Sequence, residues 1–519
     1  MINVQLRDLL VLAICTIVHL AYRYRRKRLL PLPPGIPGWP LLGNALDMPL
    51  QYVHVFYKDL GKRLGTKIMY MEALGRPMIV LNDITMAQDL LEKRSALYSS
   101  RPFLTQRSVG LTDFFSLMPY GDDWRKHRRM FQQHFSDKSL SRIQETQIEF
   151  IRKSLLLNLY YQPEQFDEHI KNCIGGVSIS MTYGFPVQRQ HDPVVHHFEK
   201  TLTDATGAVA PGKYLVNIIP QLKYIPEWMP GGHFKRIGRE IREELTELMD
   251  KPYQNSLDSM NAGTAHESFI SSTLESYQDK PDFERQALCA KETAGQLFGA
   301  AAETTTASTM TFILAMLKHP DVQRLAQKEI DSVVGPDRLP DFSDLPKFSY
   351  LSAVVKEVLR WNPIAPAGVP HFTSDEDTYN GYYIPKDCII MANTYGMLHD
   401  DDIFPNPTHF DPSRFINADG TIRDDLPNPE IVATFGFGRR ICPGRDIALL
   451  MLYITAVSIL HLFDISPMLD DEGNPIDVKP EFYAESIVSN VLPFKCKITP
   501  RPGRDIESLL QEYMGTDPI

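Results

Sequence analysis

A chain of 519 residues, 43% of them apolar, can bury a large core and needs no disulfide framework to hold it. Its formal net charge of −10 supplies no basic surplus, which excludes an ordinary electrostatic nucleic-acid binder. The six cysteines (Cys15, Cys173, Cys289, Cys388, Cys442 and Cys496) are far apart and form no CxxC pair, which excludes zinc knuckles and thioredoxin-like chemistry. The one Asn-x-Thr sequence is spoiled by Pro407 after Asn406, so a reducing, cytosol-facing compartment fits.

Leu9 to Tyr22 is almost wholly apolar, broken only by Thr16 and His19. Extending it back to Val4 takes in Gln5, Arg7 and Asp8, so it is a marginal span against the roughly 20 residues a bilayer requires. Arg23, Arg25, Arg26, Lys27 and Arg28 follow at once, and the positive-inside rule puts that end in the cytosol. A cleaved signal peptide is the alternative, but its basic cluster would precede the apolar run. Residues 1–30 are therefore expected to be a retained signal anchor in the endoplasmic reticulum membrane, single-pass, with the body cytosolic. Residues 31–44 are proline-rich and predict an extended, semi-rigid hinge. No Ser/Gly linker, repeat or low-complexity block follows, so residues 45–519 are read as one catalytic domain.

Along that domain, Thr66 to Tyr70 and Met78 to Leu81 read as strands around the turn at Leu74–Pro77, and Asp83 as the cap of a helix reaching Leu97. Helices are expected at Trp124–Phe135, Gln144–Leu159, Ile237–Asp250, Glu284–Lys318, Pro320–Val334, Leu351–Trp361 and Asp446–Phe463. Short strands are expected near Asp377–Ile384, Ile389–Asn393 and Val488–Ile498. The fold class is mainly α with small β-sheets.

The central feature is Phe435-Gly436-Phe437-Gly438-Arg439-Arg440-Ile441-Cys442-Pro443-Gly444. Two glycines allow a tight turn and a close approach to a flat ligand. Cys442 stands just before a long helix, whose N-terminal amides favour a thiolate. A buried structural cysteine in a glycine-rich turn is one alternative. A dinucleotide fingerprint is another, weakened because Ile441 fills the third glycine position.

This segment resembles the haem-binding signature of the cytochrome P450 family, F-x-x-G-x-R-x-C-x-G, with Phe435, Gly438, Arg440, Cys442 and Gly444 at the fixed places. The resemblance implies haem b with Cys442 as the axial iron ligand, Arg440 on a haem propionate and Phe435 against the cysteine side of the ring. It also implies the family fold, a large helical bundle around haem with a minor β-rich lobe. Glu357 and Arg360, an E-x-x-R pair on one helix face, would join Arg414 of Phe410-Asp411-Pro412-Ser413-Arg414-Phe415 in a structural triad. Phe298-Gly299-Ala300-Ala301-Ala302-Glu303-Thr304-Thr305 is similar to the family's proton-delivery pattern, with Glu303 and Thr304 as the acid and alcohol. Ala301 departs from it at a usual glycine.

Helical spacing sets Trp124, Arg128, Phe131 and Phe135 on one face, and the resemblance assigns Trp124 and Arg128 to a propionate. Arg125, Lys126 and Arg129 fall elsewhere, either as an ordinary solvated face or as a surface for an acidic reductase. A lone histidine such as His371, after Val369-Pro370, is usually structural; the resemblance implies a further propionate contact for it, and Ile364 to Val369 should line the substrate side. Residues 212–235 carry aromatics and prolines; by resemblance to fungal microsomal members they dip into the membrane, with packing of Tyr224 and Trp228 as the rival.

The activity implied is insertion of one oxygen atom from O2 into a lipophilic small molecule, in fungal secondary metabolism such as terpenoid biosynthesis. Electrons would come from NADPH through a partner flavoprotein, NADPH-cytochrome P450 reductase, with cytochrome b5 as a second donor. Two alternatives stay open: a reductase-independent haem-thiolate isomerase or dehydratase, and a non-catalytic membrane haem protein.

Overall fold

The computed structural model describes residues 30–102, 114–136, 139–209, 214, 216, 220–482, 487–515 and 519. The expected anchor over residues 1–30 lies outside them, save for its last residue. Among the described residues, helices of nine residues or more are α1 (Val53–Leu64), α2 (Asp122–His134), α3 (Leu140–Phe150), α4 (Phe166–Tyr183), α5 (Pro193–Val209), α6 (Phe234–Ala262), α7 (Phe269–Tyr277), α8 (Phe283–Lys318), α9 (Pro320–Val334), α10 (Tyr350–Trp361) and α11 (Arg445–Leu462). The strands are β1 (Ile68–Ala73), β2 (Arg76–Leu81), β3 (His371–Phe372), β4 (Asp377–Tyr379), β5 (Tyr382–Ile384), β6 (Ile389–Ala392), β7 (Phe463–Ser466) and β8 (Lys497–Pro500). The mainly helical expectation with small sheets is met.

The helices build one large core. α8 is the spine, 36 residues and about 54 Å long at 1.5 Å per residue. It packs against α4, α7 and α11, and its buried aromatics Phe298 and Phe312 sit inside the main cluster. α11 is apolar all round and mostly buried, which is how a helix inside a large core is composed. It is also the one helix among the described residues long and apolar enough to cross a membrane, a property it shares with any core helix. α10 is started from outside itself: the Glu329 carboxylate on α9 accepts from the Ser349, Tyr350 and Leu351 amides at 2.8–2.9 Å.

A second, smaller core lies under a four-stranded sheet of order β1-β2-β6-β3, in which β2 and β6 run parallel and the other neighbours antiparallel. Residues 31–38 of the proline-rich stretch are extended and docked, whereas the rest of 31–44 turns back on itself, with Trp39 and Gly43 bonded to each other. Tyr70 N–H on β1 donates to Pro34 O at 2.9 Å, and Tyr383 N–H donates to Pro31 O at 2.8 Å. Gly35 makes this possible, since a Cβ there would stand 2.1 Å from Tyr70 O.

Several elements differ from the sequence expectation. The helix expected over Ile237–Asp250 runs as α6 through Pro252 to Ala262. α1, α4, α5 and α7 have no counterpart in that expectation. The stretch Gln144–Leu159 is α3 followed by a π-helical segment at Ile151–Leu156 and a short α-turn at Leu157–Tyr161. At the C-terminal end only Lys497–Pro500 forms a strand, paired with Phe463–Ser466, and Val491 makes a single bridge to Phe482.

Candidate active site

The cysteine loop takes its shape from two glycines at positive φ, Gly436 at 79° and Gly438 at 56°. Gly438 is needed twice over, because a Cβ there would stand 2.1 Å from the Leu91 carbonyl oxygen. The turn lets Cys442 N–H donate to Phe435 O at 2.8 Å, and α11 starts three residues later at Arg445. Cys442 is exposed and lines a cavity of about 350 Å³. Burial pushes its thiol up, while the Gly444 amide and the Arg128 guanidinium favour the thiolate.

The same cavity is lined by every expected cofactor-binding residue: Trp124, Arg128, His371, Phe435, Arg440 and Cys442. Phe131 and Phe135 join Trp124 and Arg128 there, so the predicted α2 stripe faces inward. Ile364 and Val369 line it too. Arg128 Nη1 donates to Ile441 O at 2.6 Å, tying α2 to the residue before the cysteine. Arg440 donates to the carbonyls of Ser99 (2.7 Å), Phe115 (3.3 Å) and Met118 (2.7 Å), and lies over the Trp124 ring at 4.6 Å. Burial brings its guanidinium down to about 9.

His371 sits at the edge of the sheet on β3, held by pairing with Ile390 of β6. Its Nδ1 is 2.8 Å from Tyr98 O, which assigns the proton to Nδ1 and leaves Nε2 free. Burial, with Arg101 and Arg440 nearby, drives its pKa well below the ordinary value, so the ring is neutral.

Arg101 is the residue that sequence reading missed. It is buried, lines the cavity, and donates to Ser116 O (3.0 Å), Val369 O (2.9 Å) and Pro370 O (2.7 Å). Its only local mark is that it precedes Pro102, which biases it to an extended backbone. Among the described residues, Arg101, Arg128 and Arg440 bond only to carbonyls and none has a carboxylate partner. Two buried cations, Arg101 and Arg440, and the half-buried Arg128, none with an anion, cost free energy unless an anionic group joins them. A planar ligand carrying carboxylates and an iron that takes a thiolate meets that need, so the residues fit haem.

α8 gives the cavity Ala300, Ala301, Thr304, Thr305 and Ser308. Thr304 Oγ1 donates to Ala300 O at 2.7 Å, leaving its lone pairs available. The helix is continuous α across Ala301. Glu303, one residue away and about 100° round the helix, is absent from the cavity lining. Its carboxyl is raised to about 7 by burial; Asn490 opposes this and Glu199 adds to it.

Glu357, Arg360 and Arg414 do come together, away from the cavity. Arg360 grips Glu357 through two bonds of 2.6 and 2.8 Å, and Arg414 Nε donates to it at 3.3 Å. Their remaining donors take the carbonyls of Leu398, Pro405, Asn406, Pro407 and His409. Glu357 and Arg360 are wholly buried. The triad thus pins the 398–414 segment to α10.

At the surface, Arg125 and Arg129 are exposed, as expected, with Arg125 paired to Asp122 at 2.5 Å. Tyr224 and Trp228 stand 77% and 82% exposed, which removes the packing alternative for them.

The profile of the family described as Cytochrome P450 matches residues 33–498. Among curated proteins, the chain is 37% identical to cytochrome P450 monooxygenase ple1 of Rhodocybe pseudopiperita, over 95% of both chains. It is 38% identical to cytochrome P450 monooxygenase COX1 of Coprinopsis cinerea, over 92% of this chain and 93% of that one. It is 34% identical to tryptamine 4-monooxygenase of Psilocybe cyanescens, over 96% and 98%.

Proposed function

Starting from the fact that the chain belongs to the cytochrome P450 family of haem monooxygenases, we propose that it hydroxylates a lipophilic small molecule and that Cys442 would hold the haem iron through its sulfur. The observation that carries this is the convergence on one cavity of Cys442 and three arginines without carboxylate partners, Arg101 and Arg440 buried and Arg128 half-buried. Haem bound there supplies the activation of dioxygen and the transfer of one oxygen atom to carbon.

The chain's own residues do the rest. Arg101, Arg128 and Arg440 would hold the propionates, with the Trp124 indole N–H as a further donor; neutral His371, protonated on Nδ1, offers Nε2 only as an acceptor, to a protonated propionate or a bridging water. Burial raises the Cys442 thiol while the Gly444 amide and Arg128 favour its thiolate, and the sulfur would complete its ionisation on ligation to the haem iron. Thr304 Oγ1, anchored on Ala300 O, accepts a proton-bearing water and passes a proton into the cavity. Glu303, near 7, gives and takes protons at working pH and recharges that alcohol from outside the cavity wall. The wall residues Leu297, Ala301, Ile364 and Val369 exclude water and favour a neutral, apolar substrate. A terpenoid skeleton has that character.

Residues 1–30 anchor the chain in the endoplasmic reticulum membrane, 31–44 form the hinge, and 45–519 are the cytosolic catalytic domain. Tyr224 and Trp228 reach toward the lipid. Arg125, Lys126 and Arg129 greet an NADPH-cytochrome P450 reductase, with cytochrome b5 as an alternative donor. The test is expression with such a reductase and a panel of terpenoid and aromatic skeletons. A product heavier by one oxygen atom, dependent on NADPH, is the expected result. Turnover with a hydroperoxide but never with NADPH, reductase and O2 would overturn it.

A further inference from the structure

Residues 114–118 form a short wall segment between two parts of the molecule. Phe114 packs into the cluster of Ala205 on α5 with Ile241, Leu245 and Met249 on α6. Phe115 and Ser116 line the cavity. The segment has little structure of its own, only turn bonds from Leu117 N–H to Phe114 O and Met118 N–H to Phe115 O at 2.9 and 3.3 Å. What holds it comes from elsewhere. Its carbonyls at 115, 116 and 118 accept from Arg440 and Arg101. Its remaining polar contacts go to one side chain on α8. Ser116 N–H donates to Gln296 Oε1 and Gln296 Nε2 donates to Ser116 Oγ, both at 2.9 Å.

Gln296 lies on the cavity stripe of α8, since steps of four residues lead from it to Ala300 and Thr304. A two-point amide contact fixes direction as well as distance, and it costs more to break than a single neutral bond. The arginine contacts on the other side involve cofactor-holding groups. The Gln296 contact is therefore the one that sets the wall without touching the cofactor arginines.

We propose that Gln296 is a positioning residue whose amide, holding both the N–H and the hydroxyl of Ser116, fixes residues 114–118 as a wall of the substrate chamber and so governs how tightly a neutral ligand is held beside the haem iron. This rests on the haem monooxygenase reading above. Release of the contact lets Phe115 and Ser116 move away from α8, and a bound ligand then escapes faster.

The test uses the full-length holoenzyme and 4-phenylimidazole, a neutral probe whose ring nitrogen ligates haem iron and shifts its absorbance. Gln296→Ala is expected to keep wild-type haem content and carbon monoxide spectrum while releasing the probe roughly tenfold faster, with Kd raised by a similar factor. Ser116→Ala, which keeps the backbone leg, moves both in the same direction by less. Gln296→Glu, whose carboxyl group can accept from both Ser116 groups, restores wild-type release. Amide deuterium uptake over 114–118 rises in Gln296→Ala with or without haem. Wild-type release rates in both alanine variants would overturn the proposal. So would loss of haem from Gln296→Ala, which would make the residue part of the cofactor site. A wild-type protein that takes up no haem would instead refute the underlying reading, and the proposal with it.

Discussion

The Cys442 amide donates to the Phe435 carbonyl at 2.8 Å, so the first and last aromatic-to-cysteine positions of the loop are tied to each other. That bond exists only because Gly436 and Gly438 turn the chain through positive φ between them. The sulfur's place is thus set by backbone, before any cofactor contact is considered.

The motif glycines should therefore respond unequally. Gly438→Ala adds left-handed strain and a clash with the Leu91 carbonyl, and is expected to cost more than about 2 kcal/mol. Gly444, at φ −91°, lies outside the left-handed region, so Gly444→Ala should lower the folding transition less than Gly438→Ala. Thermal unfolding of the two variants checks the contrast.

Glu357→Ala leaves Arg360 wholly buried without its carboxylate and frees the Asp411 amide that Glu357 accepts at 2.8 Å. Loss of a buried partner of this kind costs about 3–5 kcal/mol. The variant should unfold at lower urea and be recovered with little haem, whereas Glu357→Gln, which keeps an acceptor for Asp411, should lose less.

Thr304→Ala removes the hydroxyl that lines the cavity and rests on Ala300 O. It should keep the thiolate-type carbon monoxide spectrum while most NADPH consumption ends in hydrogen peroxide, with product formation down on the order of tenfold. Thr304→Ser should restore coupling. Unchanged coupling in the alanine variant would refute the relay.

His127 joins α2 to α8 as a cation. Its Nδ1 is 2.8 Å from Asp123 O and its Nε2 is 2.9 Å from the Glu292 carboxylate, so both nitrogens need a proton to be satisfied. Burial opposes the charge, but the contacts with Cys289 and Glu292 outweigh it and raise the ring to about 10. A folded-state pKa above the ordinary value near 6.5 adds stability that is full below that pH and is lost as pH rises through about 10. The melting-temperature advantage of the wild type over His127→Gln should shrink steadily between those two values.

What the sequence revealed was local. Phe435 to Gly444, Glu357 with Arg360, and Trp124 with Arg128 each declare themselves by spacing within one element. Arg101 does not, because its carbonyl partners at Ser116, Val369 and Pro370 come from remote segments. α4 escaped because it is buried nearly all round and shows no apolar stripe. Its Gly175 and Gly176 make room for Val195 and Phe150. Glu303 and Thr304 are adjacent in the chain, yet only Thr304 reaches the cavity, because the angle round α8 depends on how the whole helix is packed.

The account stands or falls on the sulfur at 442. The most direct measurement is the carbon monoxide difference spectrum of the reduced, purified protein beside Cys442→Ala and Cys289→Ala. The long-wavelength thiolate band should appear in the wild type and in Cys289→Ala and vanish in Cys442→Ala. Its absence from the wild type, or its survival in Cys442→Ala, would contradict the assignment.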